Sequence, residues 1–219
     1  VFQINNQIFC GAGYLSSRLY PHPPIQRSYM RQLWQMWESA LSQNEIDNII
    51  TECEKYNPME AQIGLGDDGH KKESVRESTV RWINTHDPDS KFIKQLLWNY
   101  ANESNRNAFG VDIRDIFDIQ YTIYEGSNNG HYDWHIDTFF ANQSQWDRKL
   151  SITIQLSDPK DYEGGTFLID NQYEQPNEVS LRSKGTVFVF PSMLRHQVTP
   201  VTKGTRRSLV AWVEGPKWK

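Results

Sequence analysis

From Asp115 onward the chain reads as short β segments separated by turn residues, and this texture restricts the fold more than any other feature. DIFDIQYTIY alternates: Phe117, Ile119, Tyr121 and Ile123 share one face, Asp118, Gln120, Thr122 and Tyr124 the other. KLSITIQLS, GTFLID, NEVSLR, GTVFVF, RHQVTPV and RRSLVAWV follow as strands, with turns at YEGG, DNQ, FPS and TKGT. Strands so short and so closely spaced predict a sandwich or jelly roll. Upstream, SQNEIDNIITECEKY opens on Ser42 with Glu45 in capping-box position, and Ile46, Ile49, Ile50 and Cys53 follow at helical spacing. STVRWIN reads as a strand and PDSKFIKQLLWNYANESN as a second amphipathic helix ending near Asn105. The expected class is therefore mainly β with N-terminal packing helices.

The first forty residues are irregular, with YPHPP extended, and read as an extension packing on a domain spanning 41–219 whose catalytic β core is about 115–215. Residues 62–78 read as a long exposed loop, equally a lid or a plain surface loop. A net charge of −4 gives no basic footprint, so no nucleic-acid partner is expected. Cys10 and Cys53 cannot frame a disulfide network, no apolar run is long enough for a membrane, and the opening VFQINNQIFCGAG does not read as a signal peptide. A cytoplasmic protein with no membrane partner is the expectation.

GHYDWHIDTFF holds two overlapping His-x-Asp couples, His131 with Asp133 and His135 with Asp137. On a strand, either couple presents an imidazole and a carboxylate to one face. A third ligand is needed, and His196 at the start of a late strand supplies it if a jelly roll folds it back. Two histidines and one carboxylate form the facial triad of non-haem Fe(II) oxygenases, which leaves positions open for a co-substrate and O₂. Downstream, TKG predicts a hairpin with strands near 195–201 and 205–213, which would pair Arg206 with positions near 199 and 200. That puts Arg206 roughly 10–13 Å from the level of His196 at strand rise. A five-carbon chelating acid plus an arginine side chain spans such a gap. Ser208 shares Arg206's strand face, and Tyr124 offers a further hydroxyl.

QYTIYEGSNNGHYDWHID, EGGTFLI and HQVTPVTKGTRRSLVAWVEGP resemble the non-haem Fe(II)- and 2-oxoglutarate-dependent dioxygenases, in their prolyl-4-hydroxylase-like branch. The resemblance runs over roughly residues 40–215. It implies a double-stranded β-helix with iron on His135, Asp137 and His196, the catalytic and metal residues alike. It selects His135/Asp137 because Tyr132 is the aromatic residue that family members carry three before the ligand histidine. His131 and Asp133 are left to the substrate entrance or to a polar strand end. Arg206 is implied to hold the distal carboxylate of 2-oxoglutarate, with Tyr124 and Ser208 helping and Thr166 as a weaker contact. Two departures are a longer Tyr124–Tyr132 connection and GGT where prolyl hydroxylases often have GGET. The cofactors implied are Fe(II), 2-oxoglutarate and O₂, with ascorbate in support. The activity implied is hydroxylation of an unactivated C–H, foremost a prolyl residue in a peptide or protein partner, with succinate and CO₂ as co-products. Alternatives are an oxygenase of a free small molecule or nucleobase, or a non-catalytic jelly-roll binding module. Trp134, Arg76 and Arg81 are groove candidates or ordinary packing residues. His22, His70 and His86 read as surface residues.

Overall fold

The computed structural model describes residues 8–9, 33–61, 75–140, 143–170 and 175–219. YPHPP, His22, His70, Cys10 and the 62–74 part of the expected lid lie outside them. The described strands are β1 (Ile8–Phe9), β2 (Gln35–Trp37), β3 (Met59–Glu60), β4 (Arg76–Glu77), β5 (Thr79–Ile83), β6 (Asp115–Glu125), β7 (His131–His135), β8 (Trp146–Gln155), β9 (Tyr162–Gly164), β10 (Phe167–Ile169), β11 (Val187–Pro191), β12 (His196–Val198) and β13 (Val201–Pro216). The α-helices are α1 (Gln43–Glu54), α2 (Lys91–Ser104) and α3 (Glu178–Arg182). Two antiparallel sheets result: a larger one ordered β1-β2-β11-β8-β13-β6-β5-β3, with β9 on β13, and a smaller one ordered β10-β12-β7-β4. This is the expected mainly β, jelly-roll architecture.

Helix α1 starts where the capping box predicts. Ser42 Oγ accepts from the Glu45 N–H, and the Glu45 carboxylate accepts from the Ser42 N–H. Ile46, Ile49 and Cys53 of α1 and Ile93, Leu97 and Ala101 of α2 bury against one face of the larger sheet. That face is Ile119 and Tyr121 of β6, Leu150, Ile152 and Ile154 of β8, Val187 and Val189 of β11, and Leu209, Ala211 and Val213 of β13. The opposite face of the same strands is just as buried but polar: Gln120, Thr122, Ser151, Gln155, Arg206 and Ser208. Polar groups are desolvated at a cost unless they find partners, so an inward polar face marks a site rather than a core.

Three expectations are corrected. NEVSLR is the short helix α3 rather than a strand. Asn177 accepts from the Ser180 N–H as its cap, and six residues are too few for alternation to outvote that cap. The 195–201/205–213 hairpin does not form, and Arg206 does not face positions 199–200. Both edges of β12 are already taken by β10 and β7, so the chain leaves the smaller sheet near Pro200 and enters the larger one as β13. Finally, β6 loses its strict alternation at a register shift: Trp212 faces Asp118 and Val213 faces Ile116, so Phe117 is the extra residue. Phe117 is therefore exposed, and Ile116 takes its place in the core.

Candidate active site

His135 ends β7 and His196 begins β12, and the two pair across the smaller sheet. The register slips between that pair and Val198–Tyr132, so β7 carries a bulge. Tyr132 and His135 consequently both turn into the cavity between the sheets, while His131 and Asp133 are not among its lining residues. His131 Nδ1 instead lies 2.8 Å from the Asn129 carbonyl, and Asp133 accepts the Trp134 N–H at 2.7 Å. Asp137 sits just beyond the strand, where the Ser192 carbonyl accepts both the Asp137 and Thr138 N–H groups. His135 Nε2 is 3.7 Å from Asp137 Oδ1, and His196 Nε2 is 3.5 Å from Asp137 Oδ2. The three donor atoms all fall within 4.8 Å of one another.

Each of the three side chains is oriented from behind. His135 Nδ1 contacts the Asp133 carbonyl at 2.7 Å and His196 Nδ1 the Leu194 carbonyl at 2.9 Å. A carbonyl only accepts, so Nδ1 carries a hydrogen and each Nε2 is the nitrogen turned toward Asp137. Ser151 donates its hydroxyl to Asp137 Oδ2 at 2.7 Å and lies 2.9 Å from the Ser192 hydroxyl. Tyr132 stacks on the His135 ring at 3.5 Å. Burial, reinforced by the neighbouring His196, pulls the His135 imidazole down to about 4, so it is neutral at pH 7. Burial alone would raise the Asp137 carboxyl, but the two imidazoles and the Ser151 hydroxyl outweigh it and hold it below the usual carboxylate range. Two imidazoles and one carboxylate, all aimed inward and open on the cavity side, fit an octahedral divalent metal of the oxygenase type.

Arg206 enters the same cavity from β13, directly opposite Tyr124 of β6, with its Cζ 5.5 Å from the Tyr124 ring centre. It is 5% exposed, and its Nη1 has no hydrogen-bond partner. Ser208, two residues on, faces Thr122 and lines the cavity as well. An unpartnered, buried guanidinium nitrogen in a cavity that Tyr124 and Ser208 also line has the chemistry to take a carboxylate. Gly165 packs against the Arg206 side chain. At φ +63° it lies so close that a Cβ there would be 3.0 Å from Arg206 Cδ. Thr166 is not part of the cavity; its hydroxyl donates to the exposed Glu178 carboxylate at 3.0 Å. The cavity holds about 970 Å³ of empty space, open solvent at its mouth included.

Arg76 lines this cavity, but the other two groove candidates do not. Trp134 stacks under Arg195, and Arg81 binds the carbonyls of Glu54 and Tyr56 at the end of α1. His86 is exposed, as expected. The sequence reading passed over Ser151, Gln155 and Arg148. Arg148 pairs with Asp118 at 3.0 Å over the Trp212 ring, and Gln155 donates to the Tyr162 hydroxyl at 2.8 Å. A signal for two of them exists: Ser151, Thr153 and Gln155 alternate with Leu150, Ile152 and Ile154 in a strand buried on both faces.

A family model described as the 2OG-Fe(II) oxygenase superfamily matches residues 119–214. The chain is similar to a PKHD-type hydroxylase of Gloeothece citriformis, 38% identical over 180 residues, covering 80% of this chain and 76% of that one. In fold it is similar to a prolyl-4-hydroxylase of Pseudomonas putida, with a TM-score of 0.60 at 18% identity, covering 85% of this chain and 94% of the other. It is similar again to a prolyl hydroxylase from Trichoplax adhaerens solved with a hypoxia inducible factor peptide fragment, with a TM-score of 0.63 at 16% identity and 83% of each chain covered.

Proposed function

This chain belongs to the 2OG-Fe(II) oxygenase superfamily as a 2-oxoglutarate-dependent dioxygenase of prolyl-hydroxylase type, and on that premise we propose that it hydroxylates a prolyl residue in a peptide or protein. The supporting observation is one cavity that holds the His135–Asp137–His196 cluster together with the buried, unpartnered Nη1 of Arg206. Residues 41–219 are the catalytic unit in this reading.

His135, Asp137 and His196 would hold Fe(II), and Arg206 with Tyr124 and Ser208 would hold the distal carboxylate of 2-oxoglutarate. When bound, iron, co-substrate and O₂ supply the oxidising chemistry, which yields succinate and CO₂ and places one oxygen atom in the acceptor C–H bond. The chain's own residues bind and shield. Ser151 keeps Asp137 ionised and aimed, and the two backbone carbonyls fix which imidazole nitrogen faces the metal. Arg206 fixes one end of the co-substrate by a charge-assisted contact, so its other end has one reach and one direction. Phe167, Phe190, Val198 and Trp212 make the walls apolar and keep water from the reacting carbon. No side chain is required as a general base. The test is incubation with proline-containing peptides, Fe(II), ascorbate and 2-oxoglutarate. A product heavier by one oxygen on proline, matched by succinate, supports the reading; succinate with oxygen on another residue or a free small molecule refutes it.

A further inference from the structure

Arg76 has no role in the reading above, yet it is 7% exposed and lines the same cavity. Its Nε donates to Ser78 Oγ at 3.0 Å and its Nη2 to Gln120 Oε1 at 2.7 Å, both neutral acceptors. Its Nη1 has no partner among the described residues, and no carboxylate among them pairs with it. The neighbouring Arg148, by contrast, is neutralised by Asp118. Among the described residues Arg76 is thus a buried guanidinium held by neutral acceptors alone. Its Cζ lies 4.4 Å from the centre of the Tyr132 ring, whose stacked neighbour is His135. The imidazole occupies one face of the phenol, so the guanidinium is left the other. One aromatic ring thus separates the Arg76 guanidinium from the candidate metal ligand His135.

We propose that Arg76 is an anion-binding subsite of the acceptor cleft, and that the acceptor carries a carboxylate next to the residue that is oxidised. This rests on the oxygenase reading of the site and names the chemistry of its substrate. Arg206, Tyr124 and Ser208 provide the co-substrate seat on the larger sheet in that reading, whereas Arg76 stands on β4 of the smaller one. The mouth around it is apolar, with Trp82, Ile136 and Phe139 each about 40% exposed, so the acceptor is otherwise apolar there. The carboxylate can come from an Asp or Glu side chain or from a free C-terminus.

The test measures binding of acetylated proline peptides to the Fe(II)- and 2-oxoglutarate-loaded protein without oxygen, then product mass once oxygen is admitted. One peptide pair differs by Glu against Gln beside proline, the other by a free against an amidated C-terminus. At least one acidic member should bind about tenfold or more tightly than its neutral partner, and the pair that shows this identifies the source. Arg76→Gln should remove the preference by weakening only the acidic member, with Arg76→Lys retaining part of it. Equal binding within both pairs, no binding by either acidic peptide, or a preference that survives Arg76→Gln overturns the proposal. Oxygen found on a residue other than proline would instead overturn the prolyl reading and leave the charge preference standing.

Discussion

Ser151 donates its hydroxyl to Asp137 Oδ2 at 2.7 Å, from the centre of β8 to a carboxylate that lies beyond the end of β7. The contact ties the two sheets together at the point where the candidate metal ligands meet. Ser151→Ala should leave the fold intact and weaken divalent-metal affinity by about 10- to 100-fold, as loss of a ligand's hydrogen-bond support typically does. Titration with Mn(II) checks this; unchanged affinity would mean that Ser151 only fills space.

Gly165 and Arg206 should act on one property. Arg206→Ala removes a charge-assisted contact of about 1.5–3 kcal/mol and should raise the 2-oxoglutarate requirement by about 10- to 150-fold. Gly165→Ala adds a methyl group at a positive φ against Arg206 Cδ and Val201 Cγ2 and should move the same parameter the same way. Metal affinity should change in neither variant. KM for 2-oxoglutarate, measured beside a metal titration, separates the two effects.

Stability of the metal-free protein should depend on pH through His135. Its folded value is about 4 against an ordinary 6.5, so the unfolded chain binds the proton more readily between those limits. The contribution is fully present above pH 6.5 and is lost progressively as pH falls toward 4. Melting temperatures of wild type and His135→Gln over that range should differ in slope, with the wild type the steeper; parallel curves would contradict the assignment.

Leu97 of α2 is fully buried against the sheet face that backs the site. Leu97→Ala should lower unfolding free energy by about 2–5 kcal/mol in urea titrations while metal affinity at low temperature stays unchanged.

What the sequence disclosed was set by how local each signal is. The capping box of Ser42 and Glu45 and the turn-bounded run KLSITIQLS are signals that act within a few residues, and α1 and β8 form where they were read. The late pairing of His196 with His135 was legible because a metal needs a third ligand, whatever the strand order. The hairpin carrying Arg206 failed because strand pairing is a competition for edges: TKGT is a sound turn signal, but β12 had none free. The β7 bulge was equally hidden. Strict alternation would have put His131, Asp133 and His135 on one face, and one slipped residue separates them. Ser151 went unread because a serine in an apolar strand gains its meaning only from the carboxylate that folds onto it.

Calorimetric titration of Fe(II) under argon into the wild type, His131→Ala and His135→Ala, each with and without 2-oxoglutarate, tests the site most directly. The account predicts one strong site in wild type and His131→Ala, none in His135→Ala, and co-substrate binding only where the metal binds. Loss of the site in His131→Ala with retention in His135→Ala would contradict it.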